Sequence, residues 1–329
     1  MMSNDNPSVL IMMASFNGEK YIREQIESIL NQSFENWKLI IQDDCSSDKT
    51  LSVINEYVKE DNRIRLLIND GEHGAYYNFH SLINKCKTCN SNYYMFADHD
   101  DIWHADKIQT MVNYFEQNTT DDVPTMIYGD MEIIDGKGNK TGKRINDLLK
   151  LKYRSQLDPF FNHTVFGCNC MINSELFNLV PSVNTNDKVT SILCHDNYYA
   201  KYAAIFGQLI YIDSLLMDYR RYGENVTSKH EYSYGIKKIV RRLSKIDGLA
   251  KDHACTYSQS IYTIKKILDN DKNTFCDKKL KTVLDIMEHG GICAVFKCIH
   301  LHISCGMPIR TFSRYFIILT KLYKKHLCF

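Results

Sequence analysis

With 329 residues, 44% of them hydrophobic and 24% charged, the chain is long enough for one large α/β domain plus a smaller appendage. Forty basic against 39 acidic side chains leave a net charge of +1, which gives nucleic acid no electrostatic claim as a partner. No uninterrupted apolar run is long enough to span a bilayer. The start, Met1 to Pro7, carries neither a basic n-region nor an apolar h-region, and scattered cysteines without an export signal point to free thiols in a reducing compartment. Cys86 and Cys89 form a lone C-x-x-C, and Cys293, Cys298, His300, His302 and Cys305 lack the two-knuckle spacing of a structural zinc site.

In chain order, Val9 to Ala14 is a continuous apolar run, as expected of a strand buried on both faces of a parallel sheet. Ser15, Phe16, Asn17 and Gly18 break it. A helix follows from about Glu19 to Asn31, with Ile22, Ile26, Ile29 and Leu30 on one face and charged residues on the other. Trp37 to Ile41 reads as the second strand, and it runs into Asp43-Asp44-Cys45-Ser46-Ser47-Asp48-Lys49-Thr50. A second helix over about Thr50 to Glu60 and a strand near Ile64 to Ile68 continue an alternation that predicts a parallel sheet with right-handed crossovers.

The next apolar run, Tyr94 to Ala97, stops abruptly at Asp98-His99-Asp100-Asp101, followed by Ile102, Trp103, a helix from about Ala105 and Lys107. Ligands of such sheets lie beyond the carboxyl ends of the strands, so the polar clusters after Ala14, Gln42 and Ala97 belong to one crevice. Asp98 and Asp100 are two residues apart on an extended backbone, so their oxygens can converge on one hard divalent cation, Mg²⁺ or Mn²⁺. An acidic turn with Asp101 as helix cap accounts for the same spacing. No G-x-G-x-x-G follows the first strand and no Walker A lysine loop occurs, which favours a nucleotide held by carboxylates and a metal.

Further along, Thr125 to Asp130 is another apolar strand ending in an acid, and Gly136 to Asn146 reads as an exposed loop. Leu193-Cys194-His195-Asp196 leads into a helix with Tyr199, Tyr202, Ala203 and Phe206 inward. The strand Gln208 to Ile212 precedes Met217 to Val226. Beyond about residue 230, Ile236 to Leu243 and Ile309 to Lys325 are basic and amphipathic. They can rest on an anionic leaflet without crossing it, or pack on the rest of the protein with their lysines solvated.

Ala14-Ser15-Phe16-Asn17-Gly18, Asp43 to Thr50 and Ala97 to Trp103 resemble, in order and spacing, the three successive signatures of family two glycosyltransferases. Within that family the chain is most similar to bacterial rhamnosyl-, glucosyl- and galactosyltransferases of surface polysaccharide synthesis. The resemblance implies an A-type glycosyltransferase fold: α/β, with a Rossmann-like, mainly parallel sheet flanked by helices and a C-terminal helical extension. The resemblance fades beyond about residue 230, so a catalytic domain is expected at 1–230, with the nucleotide-sugar half to about 130 and the acceptor half after it, and a helical, basic region at 231–329. It also implies a UDP- or dTDP-sugar donor, a divalent cation (Mn²⁺ or Mg²⁺) and inversion at the anomeric carbon. The acceptor it suggests is a lipid-linked oligosaccharide at the cytoplasmic face of a bacterial membrane.

Carried over by position, Ala14, Phe16 and Asn17 lie at the nucleotide, and Asp43, or else Asp44, accepts a hydrogen bond from the base. The competing reading of that pair is an Asx turn leading to a cap near Asp48. Asn78, with Asn69 and Gly74, belongs to a turn-like segment that approaches the donor. Asp98 holds the donor ribose or sugar and, with Asp100, the cation. Gly167 lies on the acceptor-side strand, and Trp103 and Lys107 match the family pattern. Arg220 belongs to a mobile loop that closes over the diphosphate, with Tyr222 in place of the usual His. Inverting transfer needs a base on the face opposite the leaving diphosphate. The resemblance assigns it to Asp196, for which a helix cap is the compatible alternative. The rival readings are a metal-dependent nucleotidyltransferase and a catalytically silent binder of sugar nucleotides.

Overall fold

All seven residues of β1 (Val9–Ser15) are buried, because parallel neighbours flank it on both edges and helices cover both faces. The computed structural model describes residues 7–223, 246–269, 277–304 and 308–328. After β1 come α1 (Ile22–Leu30), β2 (Trp37–Asp43), α2 (Thr50–Glu60), β3 (Ile64–Ile68), α3 (Ala75–Cys86) and β4 (Tyr93–Asp98). These form the parallel nucleus, ordered β3-β2-β1-β4. Its register brings Ser15 beside Asp43 and Ala14 beside Asp98, so the polar ends of three strands share one rim.

The chain continues through β5 (Ile102–Trp103), α4 (Lys107–Asn118), β6 (Thr125–Asp135), β7 (Lys140–Arg144), α5 (Ile145–Leu149), α6 (Asp158–Phe161), β8 (Cys170–Asn173), α7 (Ser174–Leu179), α8 (His195–Phe206) and β9 (Gln208–Arg221). They extend the sheet as β8-β6-β9-β5, with β7 attached to β6. β8 is antiparallel to both β4 and β6, and β9 runs parallel to β6.

Four segments depart from the sequence expectation. The Gly136 to Asn146 stretch contains a strand, β7, held to β6 by Arg144, which bonds the buried Asp130 carboxylate at 2.7 Å. The segment expected as a loop from Met217 is strand as far as Arg221, because β5 and β6 offer it pairing partners on both edges. The acceptor-side stretch before Met171 is a 3-10 turn at Gly167–Asn169, and strand begins only at Cys170. Asn78 lies in α3 rather than a turn: its amide exchanges hydrogen bonds with Gln42 of β2 at 2.9 and 3.0 Å. That helix starts at Gly74, whose φ of +122° suits glycine.

The last described elements are α9 (Ile246–Asp269), α10 (Asp277–His289), α11 (Ile292–His300), α12 (Pro308–Thr320) and a 3-10 turn at Leu322–His326. Ser260 of α9 donates to the Phe160 carbonyl at 2.6 Å, and Gln259 accepts from the Cys194 amide at 3.1 Å. Arg314 of α12 bonds the Phe161 carbonyl. Glu224 to Val226, Ile236 to Leu243 and Cys305 lie outside the described residues. Among those described, no helix is long and apolar enough to cross a membrane.

Candidate active site

The rim begins with Phe16, which follows β1 directly and is 52% exposed among the described residues. Asn17 follows with φ +46° and ties two loops together, its side-chain oxygen accepting from the Ser47 amide at 2.9 Å. Asp43 is fully buried. Its oxygens take the Ser15 hydroxyl at 2.8 Å, the Ser46 hydroxyl at 2.7 Å and the Ser46 amide at 2.7 Å. That is an Asx turn sealed under the loop, so of the adjacent pair it is Asp43 that turns inward. Asp44 is 6% exposed and receives Asn69 at 2.6 Å, the half-exposed His73 ring at 2.9 Å and the Gly74 amide at 2.7 Å. Asn69 and Gly74 therefore meet the site through Asp44. Asn78 faces Gln42 instead.

The acidic cluster is arranged differently from a simple alternation. β4 ends at Asp98, and the chain turns at His99 and Asp100, so the two-residue periodicity that pairs Asp98 with Asp100 does not hold there. Among the described residues, the ligand atoms that converge within 4.8 Å belong to Asp98, Asp101 and Cys168. Asp100 instead accepts the Tyr222 hydroxyl at 2.9 Å. Burial and the charges of Asp100 and Asp196 push the Asp98 carboxyl up to about 7. Burial and the charges of Asp100 and Asp98 raise Asp101 well above the carboxylate range.

A divalent cation suits these residues. Asp101 Oδ2 is buried without a hydrogen-bond partner, and two carboxylates that repel each other gain from a shared positive charge. Burial raises the Cys168 thiol and keeps it protonated, so the donors on offer are hard oxygens, the preference of Mg²⁺ and Mn²⁺. Lys107 lies wholly buried beneath, its ammonium 2.5 Å from the Cys168 carbonyl and 3.9 Å from the Trp103 ring centre. Burial drives its pKa down to about 7 against the pull of Asp101 and Asp98.

Arg220 is 1% exposed and belongs to β9, not to an open loop. Its amide donates to Asp101 Oδ1 at 2.9 Å, its Nε to the Asp100 carbonyl at 2.8 Å, and its guanidinium pairs with Glu24. It clamps the turn that carries the acids from behind. The sequence suggested the charge but not its direction.

Asp196 lies in the first turn of α8. Its oxygens accept from the Gly167 amide at 2.9 Å, the Asn197 amide at 2.6 Å and the Asn197 side chain at 2.8 Å. Burial outweighs these donors and raises its carboxyl to about 6. His195 stacks on Phe79 with ring centres 3.9 Å apart and meets Phe96 edge-on at 4.6 Å. Desolvation holds it near 3, so the ring is neutral and packs the floor of the site. The charge of Asp196 is felt at Asp98, which puts both carboxylates in one electrostatic field.

Two residues escaped the sequence reading. Tyr76 of α3 interacts with Cys194 and Asp196. Lys201, buried one turn along α8, sits 3.2 Å from the His163 ring and lowers the Asp196 carboxyl. An inward lysine at i+5 from a candidate base is the only local signal for the second.

A parallel nucleus whose β2 and β4 end in acids, extended by a mixed sheet and by a helix that brings in a further carboxylate, defines a glycosyltransferase of the A type. The chain belongs to glycosyl transferase family 2, whose family model matches residues 10–180. The dTDP-rhamnosyl transferase RfbG of Shigella flexneri is 29% identical over 230 residues, 67% of this chain and 76% of that one. The UDP-Glc:alpha-D-GlcNAc-diphosphoundecaprenol beta-1,3-glucosyltransferase WfgD of Escherichia coli is 35% identical over 130 residues, 40% and 48% of the two chains. The mannosyltransferase PcManGT of Pyrobaculum calidifontis, solved with GDP-Man and Mn²⁺, shares the fold: TM-score 0.53 at 12% identity, over 98% of this chain and 88% of that one.

Proposed function

We propose that this glycosyltransferase moves a hexosyl group, with inversion, from a UDP- or dTDP-sugar to a lipid-linked oligosaccharide during synthesis of a bacterial surface polysaccharide such as O-antigen or capsule. The observation that carries the reading is the convergence of Asp98 and Asp101 together with a third carboxylate, Asp196, near enough for its charge to raise Asp98. RfbG, named for a dTDP-sugar, and WfgD, named for a diphosphoundecaprenol acceptor, support the donor and acceptor classes.

In this reading Phe16 and Ala14 flank the nucleobase, and Asp44 accepts from it. Asp98 and Asp101 hold the cation, with Asp100 beside them. Bound there, a divalent cation supplies charge neutralisation for the departing nucleoside diphosphate. Asp196 takes the proton of the acceptor hydroxyl as that oxygen attacks the anomeric carbon, while the bond from that carbon to the diphosphate oxygen breaks. A carboxyl near 6 is ionised at neutral pH yet more basic than a solvated one, as a general base needs. Arg220 and Tyr222 keep the acidic turn in shape. Lys107 balances part of its charge.

The test is a donor screen with Mn²⁺ or Mg²⁺ that scores nucleoside diphosphate release, repeated in chelator. Turnover is expected from one nucleotide sugar and lost in chelator. Undiminished turnover without a cation would remove the role given to Asp98 and Asp101.

A further inference from the structure

Six of the nine large hydrophobic side chains exposed among the described residues lie on α11 and α12. Ile292, Phe296 and Ile299 recur at helical spacing along α11, while Ala294 and Cys298 face inward. Ile309, Phe312 and Leu319 do the same along α12, opposite the buried Ile317 and Ile318. Phe296 is 64% and Phe312 66% exposed. The Gly291 amide donates to the Ile318 carbonyl at 2.8 Å and the Tyr315 hydroxyl to the Ile303 carbonyl at 2.9 Å. The two helices are thus antiparallel, which sets Ile292 level with Leu319 and Ile299 level with Phe312.

Charge is distributed as unevenly as apolar surface. Residues 277–329 hold nine Lys and Arg against three Asp and Glu, a net of +6 in a chain whose total is +1, so the remainder carries −5. Lys321 and Lys324, both exposed, follow α12 directly, at the end where Gly291 begins α11. Two copies meeting through this face would bring two such positively charged segments together, which disfavours self-association. An anionic lipid surface meets both properties at once: it takes aromatic and aliphatic side chains at the acyl boundary and pairs its phosphates with lysine.

We propose that the α11–α12 hairpin is a peripheral docking surface for an anionic bilayer, with Phe296 and Phe312 as its anchors and Lys321 and Lys324 at its charged rim. This deepens the lipid-linked-acceptor reading, on which its purpose rests, by naming the face that brings the enzyme to its acceptor.

The experiment is flotation of the full chain with vesicles of phosphatidylcholine plus phosphatidylglycerol, against vesicles of phosphatidylcholine alone. Binding is expected to the anionic vesicles only and to weaken as salt rises. F296S/F312S lowers the partition roughly tenfold or more, and K321E/K324E lowers it about tenfold and flattens the salt dependence. Both variants keep the wild-type melting temperature and turnover on a water-soluble acceptor, since their side chains are outside the site and solvent-facing. Undiminished binding by F296S/F312S, or equal, salt-independent binding to both vesicles, overturns the proposal. So does a lipid-free dimer that F296S/F312S dissolves, which would assign the face to a second copy. Vesicle binding by a chain that turns over no nucleotide sugar supports the surface and counts instead against the transferase reading.

Discussion

The backbone N–H of Gly167 lies 2.9 Å from the Asp196 carboxylate, so the turn before β8 and the first turn of α8 are joined at the group proposed as the base. A Cβ at Gly167 would come within 2.5 Å of the His195 ring and 3.4 Å of Asp196 Cβ. Because Phe79 and Phe96 hold that ring on two sides, it has nowhere to retreat. Gly167→Ala is therefore expected to cost about 1–3 kcal/mol of stability and to lower turnover by moving Asp196. Thermal melts and initial rates on the same preparation check both. An unchanged melt with unchanged rates would show that the turn adapts.

The pH dependence of transfer follows from the same carboxylate. Its value near 6 lies above the ordinary range of about 4. Only the ionised form accepts a proton, so kcat/KM is expected to rise with pH around a midpoint near 6 and then level off. The linkage to stability has the opposite sign. A carboxyl raised by folding binds its proton more tightly folded than unfolded, so its contribution is present below about 4 and is lost as pH climbs through 6. Asp196→Asn should abolish transfer, keep donor binding and remove that part of the stability slope. Transfer surviving in Asp196→Asn would displace it as the base.

Asp98 and Asp101 are both raised by burial and by neighbouring acids. A cation that relieves this repulsion should stabilise the fold. At a hundredfold excess over its dissociation constant, Mn²⁺ would add about 2.7 kcal/mol. The gain should be larger at pH 8 than at pH 5, because protons compete for the same oxygens at the lower pH. Asp101→Asn is expected to remove most of the gain. Melting curves with Mn²⁺ and with chelator at the two pH values decide it.

Arg220 holds the acidic turn with three separate groups, Asp101, the Asp100 carbonyl and Glu24. Arg220→Met keeps the amide bond to Asp101 but strands the Asp100 carbonyl, at a cost on the order of 2 kcal/mol. Cation affinity should fall with it, whereas Glu24→Gln, at the half-exposed end of the pair, should change both only slightly. Titration of Mn²⁺ by calorimetry on the three proteins separates a clamp behind the turn from a donor-contacting arginine. A clamp weakens the cation site before it weakens nucleotide binding.

What the linear chain determined is the parallel nucleus and its acid-tipped strand ends. Continuous apolar runs such as Val9 to Ala14 and Tyr94 to Ala97 can be satisfied only by burial on both faces, and each run stops where its polar residues start. Local physics suffices for that. The side on which each acid lies was decided by contacts distant in sequence. Asp43 turns inward because Ser15, 28 residues away, supplies a donor. Asp101 converges with Asp98 and Cys168 because the backbone turns at His99 and Arg220, 119 residues on, captures the Asp101 carboxylate. Arg220 itself is strand rather than loop because Ile134 of β6 pairs with it, while β5 pairs with Met217 and Asp218 just before it. Hydrogen bonds that close over such separations leave no periodic trace in the chain, so only the assembled sheet could choose between the alternatives.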